Sequence, residues 1–274
     1  MIDKQVKICI VGCGNMGLIY AELLLKSGKI NPKSLVLIAK NEDQKNELKK
    51  VYSVTIELVS EPIIESADVI LLCIKPQDYN NISKKIRGRI KSDALIISIM
   101  AGINIQTLQK SLNHEFIIRA MPNAPALYGK GITVFHSSNT LSDRQVEFGE
   151  FILGLTGKTI KTDKEELLDS VTAISGSGPA YFFFLTLHMK NAAINLGMDD
   201  EMAETLVRET LIGSAEMVAN NQKTMSELIN AIASKGGTTE AALNYFKFAE
   251  LDRIILNGLE KATLRSKELA QKQV

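Results

Sequence analysis

The sequence predicts an α/β fold, a doubly wound sheet in the N-terminal half followed by an all-helical C-terminal half. Three observations carry this. Short, continuous apolar runs alternate with helical stretches as far as about residue 161. The spacing G-x-G-x-x-G stands directly behind the first run, and strand-like runs cease after about residue 162.

The strand runs are "VKICIV" (6–11), "LVLIA" (35–39), "VILLCI" (69–74), "ALIISI" (94–99) and "FIIRA" (116–120). Most are apolar throughout, as strands buried on both faces of a parallel sheet must be. "ITVF" (132–135) and "KTIK" (158–161) extend the sheet, and the intervening segments are long enough for crossover helices. The segments 165–198, 199–221 and 249–270 carry helical spacing; in the last, Leu251, Ile254, Ile255, Gly258, Leu259 and Ala262 share one stripe. The domains expected are therefore 1–162 and 163–274. Phe182 to Leu187 is apolar around more than one helix face. A small helical domain has limited interior, so this surplus is expected at the subunit interface of a homo-oligomer, the alternative being a long buried core helix.

Composition narrows the partners. Of 274 residues, 45% are hydrophobic and 23% charged, and the net charge of +1 makes no electrostatic case for nucleic acid or an acidic membrane. No apolar run approaches the length of a membrane span. "MIDKQVKICIVG" shows no secretory h-region or cleavage site. Cys9, Cys13 and Cys73 are odd in number and lack C-x-x-C spacing, which argues against a disulfide framework or a zinc site and for a reducing cytoplasm.

"VGCGNMG" places Gly12, Gly14 and Gly17 between a strand and a helix, with Cys13, Asn15 and Met16 completing the loop. Gly12 permits the tight turn, Gly14 lets backbone approach a diphosphate, and Gly17 permits close packing of the helix whose amides face the phosphates. A glycine turn can be purely structural, but with strand, loop and helix all in place the pattern reads as the dinucleotide-binding loop of a Rossmann domain. After the second strand, Lys40 and Asn41 come before the acids Glu42 and Asp43. A cation and an amide suit a ribose 2′-phosphate better than a bare diol, so NADPH is favoured over NADH, the alternative being an ordinary solvated loop.

No obvious proton donor follows. There is no Tyr-x-x-x-Lys pair behind a strand, His114 and His136 fall in expected loops, and His188 falls in a helix. No His, Cys and acid cluster has metal-ligand spacing. What remains are two glycine-rich segments, "ISGSGPAY" (174–181), which interrupts an apolar helical run, and "SKGGTTEA" (234–241), which leads into another helix. The second sets free amides and the hydroxyls of Thr238 and Thr239 at a helix start, an arrangement suited to a carboxylate or simply to an N-cap.

With these motifs in place, the chain resembles the Δ1-pyrroline-5-carboxylate reductase family. The resemblance runs from about residue 6 to 265 through "VGCGNMG", "CIKP" (73–76), "IIRAMPNAPA" (117–126), "SGSGPAY" (175–181) and "SKGGTTEAAL" (234–243). It implies NADPH-dependent reduction of a cyclic imine to proline, and a helical domain that interlocks into dimers. It also implies roles: Lys75, Pro76, Ala101 and Gly102 beside the nicotinamide, and Ser60 as a polar cofactor contact. Ser234, Gly237, Thr238 and Thr239 would hold the substrate carboxylate and ring nitrogen, with the Thr239 hydroxyl as catalytic group nearest that nitrogen. An imine nitrogen can arrive already protonated, so it needs less acid help than a ketone. Relatives usually read Ser-Pro-Gly-Gly, where Lys235 stands here in place of proline. That change either loosens the loop or adds positive charge near the carboxylate.

Two other functions compete. A regulatory paralogue would keep the dinucleotide loop and erode the substrate loop, yet Gly236, Gly237, Thr238 and Thr239 all remain. A small hydroxy-acid dehydrogenase would carry a catalytic lysine on the helix after the glycine-rich motif, where the first lysine is Lys190.

Overall fold

A computed structural model describes residues 5–271. Eight strands form one sheet: β1 (Ile8–Val11), β2 (Leu35–Ala39), β3 (Thr55–Leu58), β4 (Val69–Leu72), β5 (Leu95–Ser98), β6 (Ile117–Met121), β7 (Gly131–Ser137) and β8 (Gly157–Lys161). Their order is β3-β2-β1-β4-β5-β6-β7-β8. Neighbours from β3 to β6 are parallel, β7 runs antiparallel to β6, and β8 is parallel to β7. The chain order reverses at β1, which lies between β2 and β4 and so makes the switch point of a doubly wound sheet.

The alternation of side chains along each strand divides two apolar layers. Ile8, Ile10, Leu35, Leu37, Val69 and Leu71 pack with helices α1 (Asn15–Lys26), α2 (Glu42–Val51) and α5 (Asp143–Gly154). Cys9, Val11, Val36, Ile38, Ile70 and Leu72 pack on the other face with α3 (Tyr79–Ile86) and α4 (Ile105–Leu112). Strand β3 escapes a reading by apolar runs, because of its four residues only Ile56 is buried. His136 lies within β7 rather than in a loop; its Nδ1 is 2.7 Å from the carbonyl of Thr162.

The helical part comprises α6 (Leu167–Val171), α7 (Gly178–Asn195), α8 (Asp200–Ala219), α9 (Met225–Ile232), α10 (Thr238–Phe248) and α11 (Leu251–Gln271). The segment "ISGSGPAY" does not break its helix as the glycines predict. The chain widens into a π-turn at Thr172–Gly176, with the amide of Ser177 donating to Thr172 O at 2.9 Å, and α7 follows. The hydroxyls of Thr172 and Ser175 donate to Leu168 O and Val171 O, taking up carbonyls near the irregular turn.

By internal contacts the chain forms two compact units. One runs to Ser177 and takes back the chain from Glu260 onward; the other is Gly178–Leu259. Within the second, Gly178, Ala203, Val207 and Leu228 alone are buried. Phe182, Phe183 and Phe184 are each more than 60% exposed, and Ile254 and Ile255 of the expected stripe are open as well. So much bare aromatic and aliphatic surface is far outside what a soluble monomer carries, and a second copy is the natural cover. Light scattering at micromolar concentration is expected to give at least the mass of a dimer. A monomer there would refute the oligomer.

Candidate active site

The parallel strands bring five candidate segments to one edge of the sheet. Val11 is in register with Ile38 and Leu72, Ala39 with Leu58, and Leu72 with Ser98. The carboxyl ends of β1 to β5 therefore open side by side into Gly12–Gly17, Lys40 and Asn41, Ser60, Lys75 and Pro76, and Ala101 and Gly102. Amide bonds continue the ladder past the strand ends: Gly12 N donates to Ile38 O, Cys73 N to Val11 O, and Ile99 N to Leu72 O.

The glycine loop is shaped by contact distances. Gly12 has φ +102°, and a Cβ there would stand 2.7 Å from Cys73 O. At Gly17 a Cβ would overlap the carbonyl oxygen of Gly12. At Gly14 nothing lies within 4 Å, so this side of the turn is open. Gly14 is the N-cap of α1 without a side-chain cap, and no acid stands in the first turn, so the helix start presents bare amides. Burial pushes the Cys13 thiol up to about 12, hence no thiolate opposes an anion there. Glycines demanded by crowding, an open turn and an unopposed helix dipole together fit a diphosphate.

In the adjoining turn, Asn41 caps α2 by accepting from Gln44 N at 3.0 Å, which leaves its amide NH₂ to donate elsewhere. Lys40, Ser60 and Lys75 are exposed, Pro76 and Ala101 half-buried, and Gly102 buried with φ +79°. Among the described residues the ammonium groups of Lys40 and Lys75 enter no ion pair.

Ser234, Gly237, Thr238 and Thr239 belong to the second unit, as the lead-in and first turn of α10. Gly237 is the N-cap; its amide donates to Ser234 O at 3.0 Å. A Cβ at Gly237 would lie 2.5 Å from Ser234 Oγ and 3.0 Å from Ser234 O, so the lead-in is tight there. The first helical bond is Ala241 N to Gly237 O, which leaves the amides of Thr238, Thr239 and Glu240 free at the helix start. Neither threonine caps the helix, and neither hydroxyl has a hydrogen-bond partner among the described residues. Glu240 turns back to accept from Gly236 N at 2.7 Å, bracing the lead-in.

Other candidates are occupied. Lys190 is paired with Asp200 at 2.9 Å and Glu204 at 3.2 Å, which holds it in its charged form. His114 is buried, with Nε2 at 2.6 Å from Ala94 O, and His188 meets Phe184 edge-on. No group of three metal-binding side chains occurs among the described residues.

The resemblance extends to whole proteins. The chain is 34% identical to pyrroline-5-carboxylate reductase of Haemophilus influenzae over 96% of this chain and 97% of that protein. The chain belongs to the pyrroline-5-carboxylate reductase family. Against pyrroline-5-carboxylate reductase 2 of Bacillus subtilis the identity is 33%, over 97% of the chain and 95% of the relative. Residues 165–269 match the family model for pyrroline-5-carboxylate reductase dimerisation, and 7–102 the model described as NADP oxidoreductase, coenzyme F420-dependent. The crystal structure of Plasmodium falciparum pyrroline carboxylate reductase with NADP bound has a TM-score of 0.84 at 26% identity, covering 97% of this chain and 99% of that one. The reductase from Coxiella burnetii gives 0.86 at 28%, with the same coverage. Among the described residues no helix is long and apolar enough to cross a membrane.

Three residues outside the roles that the motifs imply shape the first unit. Gln44 bridges two loops, and Asn123 accepts from Ile132 N and donates to Ser175 O. Arg119 holds two carboxylates. Asn123 and Arg119 stand inside the quoted "IIRAMPNAPA", so that motif was their signal.

Proposed function

We propose that the chain reduces 1-pyrroline-5-carboxylate to L-proline with NADPH, as the last step of proline biosynthesis. Residues 1–162 serve as the NADP-binding domain and 163–274 as the substrate-binding and dimerisation domain. The observation that carries the reading is the α10 start, with free amides, unpartnered hydroxyls and a glycine lead-in at a motif of this family. The proposed cofactor contacts are the amides of Gly12–Gly17 for the diphosphate, Lys40 and Asn41 for the 2′-phosphate, Ser60, and Lys75, Pro76, Ala101 and Gly102 around the nicotinamide. The chemistry NADPH supplies when bound is a hydride to the imine carbon.

The remaining work falls to small groups. Thr238 and Thr239 amides, with Ser234 and the bare backbone at Gly237, bind the substrate carboxylate. The Thr239 hydroxyl accepts from the protonated ring nitrogen and fixes which imine face is presented. Reduction of an iminium needs no further proton, which fits a site without histidine or tyrosine. Functional units built from dimers and a cytoplasmic location belong to the same proposal, the latter supported by three unpaired thiols.

Thr239→Ala tests this directly. A hydrogen bond to a charged group contributes about 1.5–3 kcal/mol, so kcat/KM for the imine should fall about tenfold to a hundredfold. Melting temperature should hold, because Thr239 caps nothing. A destabilised variant with full turnover per folded molecule would mean that the segment serves only its helix.

A further inference from the structure

Gln44 joins two loops that lie far apart in the chain. Its Oε1 accepts from the amide of Lys40 at 3.0 Å, and its Nε2 donates to the carbonyl of Cys13 at 3.1 Å. Its own amide donates to Asn41 Oδ1, so the same residue closes the cap of α2. Cys13 is tied in turn through Sγ to Ile38 O at 3.4 Å, and Gly12 N donates to that same carbonyl at 3.3 Å. The turn carrying Lys40 is thus pinned to the middle of the glycine loop by one side chain. A primary amide offers both the acceptor and the donor this bridge needs; glutamate lacks the donor and lysine the acceptor. A capping box would use Oε1 alone and would leave Nε2 without a purpose.

We infer that Gln44 is a positioning residue for cofactor selection. By clamping the Lys40–Asn41 turn to the diphosphate loop, it makes a dinucleotide seated on Gly12–Gly17 meet the Lys40 cation in one preset arrangement. Discrimination between a 2′-phosphate and a 2′-hydroxyl depends on where that cation stands, and it weakens when the turn must be ordered during binding. The inference rests on the NADPH reading and deepens it.

The test is calorimetric binding of NADP⁺ and NAD⁺ to the full-length protein, wild type against Gln44→Met, with the melting temperature of each ligand-free sample. Losing the clamp should weaken NADP⁺ about five- to twentyfold and NAD⁺ about threefold or less, so the NADP⁺/NAD⁺ ratio falls. Gln44→Asn, polar but one methylene too short to span both partners, should lower the ratio in the same sense if the methionine variant folds poorly. Amide exchange at Lys40 should quicken in either variant without ligand. Equal weakening of both dinucleotides, or an unchanged ratio with an unchanged Lys40 amide, would overturn the clamp and leave the function reading standing. A wild-type protein that binds neither dinucleotide would overturn both.

Discussion

Gly17→Ala is expected to lower NADP⁺ affinity by about a hundredfold or more, a loss read by calorimetry on the purified protein. The added Cβ would overlap the carbonyl oxygen of Gly12 and come within 3.2 Å of Cys73 Cβ. Both neighbours are anchored: Gly12 by its bond to Ile38 O, and Cys73 by its bond to Val11 O at 2.8 Å. Backbone cannot rotate away as a flexible side chain would, so the loop itself must move and the amides at the start of α1 move with it. Gly14→Ala is the control that separates fold from ligand. Its Cβ meets nothing within 4 Å and its φ of −86° suits alanine, so melting temperature should hold. Binding should still weaken, because the methyl takes space that close backbone approach to a diphosphate requires. Normal NADP⁺ binding by Gly17→Ala would refute the steric argument, and normal binding by Gly14→Ala would remove Gly14 from the phosphate contact.

Glycine loops are legible in sequence because the pattern reports sterics that only glycine satisfies, and Gly12 and Gly17 meet those contacts here. The buried parallel strands were legible for a similar reason, since burial on both faces leaves a continuous apolar run such as Val69–Leu72. The edge strand β3 was not, because Ile56 and Leu58 alternate with Thr55 and Glu57, which leaves no continuous apolar run. The reversal at β7 was illegible in another way: "ITVF" says strand but carries no direction, which pairing with β6 decides. Helix α9 has its own sequence signal, since Thr224 and Glu227 make a capping box at T-x-x-E spacing. In the α10 start the sequence placed glycines and threonines correctly at a helix N-terminus, but it could not separate a cap from a ligand site. Geometry sharpens that choice, because the cap is Gly237 and the threonine hydroxyls are unpartnered. Bridges across long separations lay beyond any pattern. Gln44 reads as one more polar residue in a surface helix, and Arg119 as a lone charge in a strand.

Arg119 is where that blindness hides the largest stability effect. It sits in β6 with its side chain only 4% exposed, its Nη1 at 3.3 Å from Glu165 Oε1 and its Nη2 at 3.1 Å from Asp169 Oδ1. Each carboxylate has a second tie: Glu165 accepts from Ile105 N at the start of α4, and Asp169 from the hydroxyl of Ser266 in α11. One guanidinium therefore pairs with two carboxylates that together link β6, α4, α6 and the C-terminal part of α11 within the first unit. Arg119→Met keeps the apolar stem and deletes the charge, leaving both anions partly buried without a cation. Removing one partner of a buried ion pair costs about 3–5 kcal/mol, much of it the desolvation of the partner left behind. In a chain of this size that amounts to a melting temperature lower by about 10 °C. The mechanism makes a second, sharper demand. Adding Glu165→Gln and Asp169→Asn keeps an acceptor oxygen for Ile105 N and Ser266 Oγ while abolishing the stranded charges. The triple variant should then melt well above Arg119→Met, although three residues have changed instead of one. If the triple variant melts lower still, the loss comes from packing and the ion cluster is not what fastens these elements.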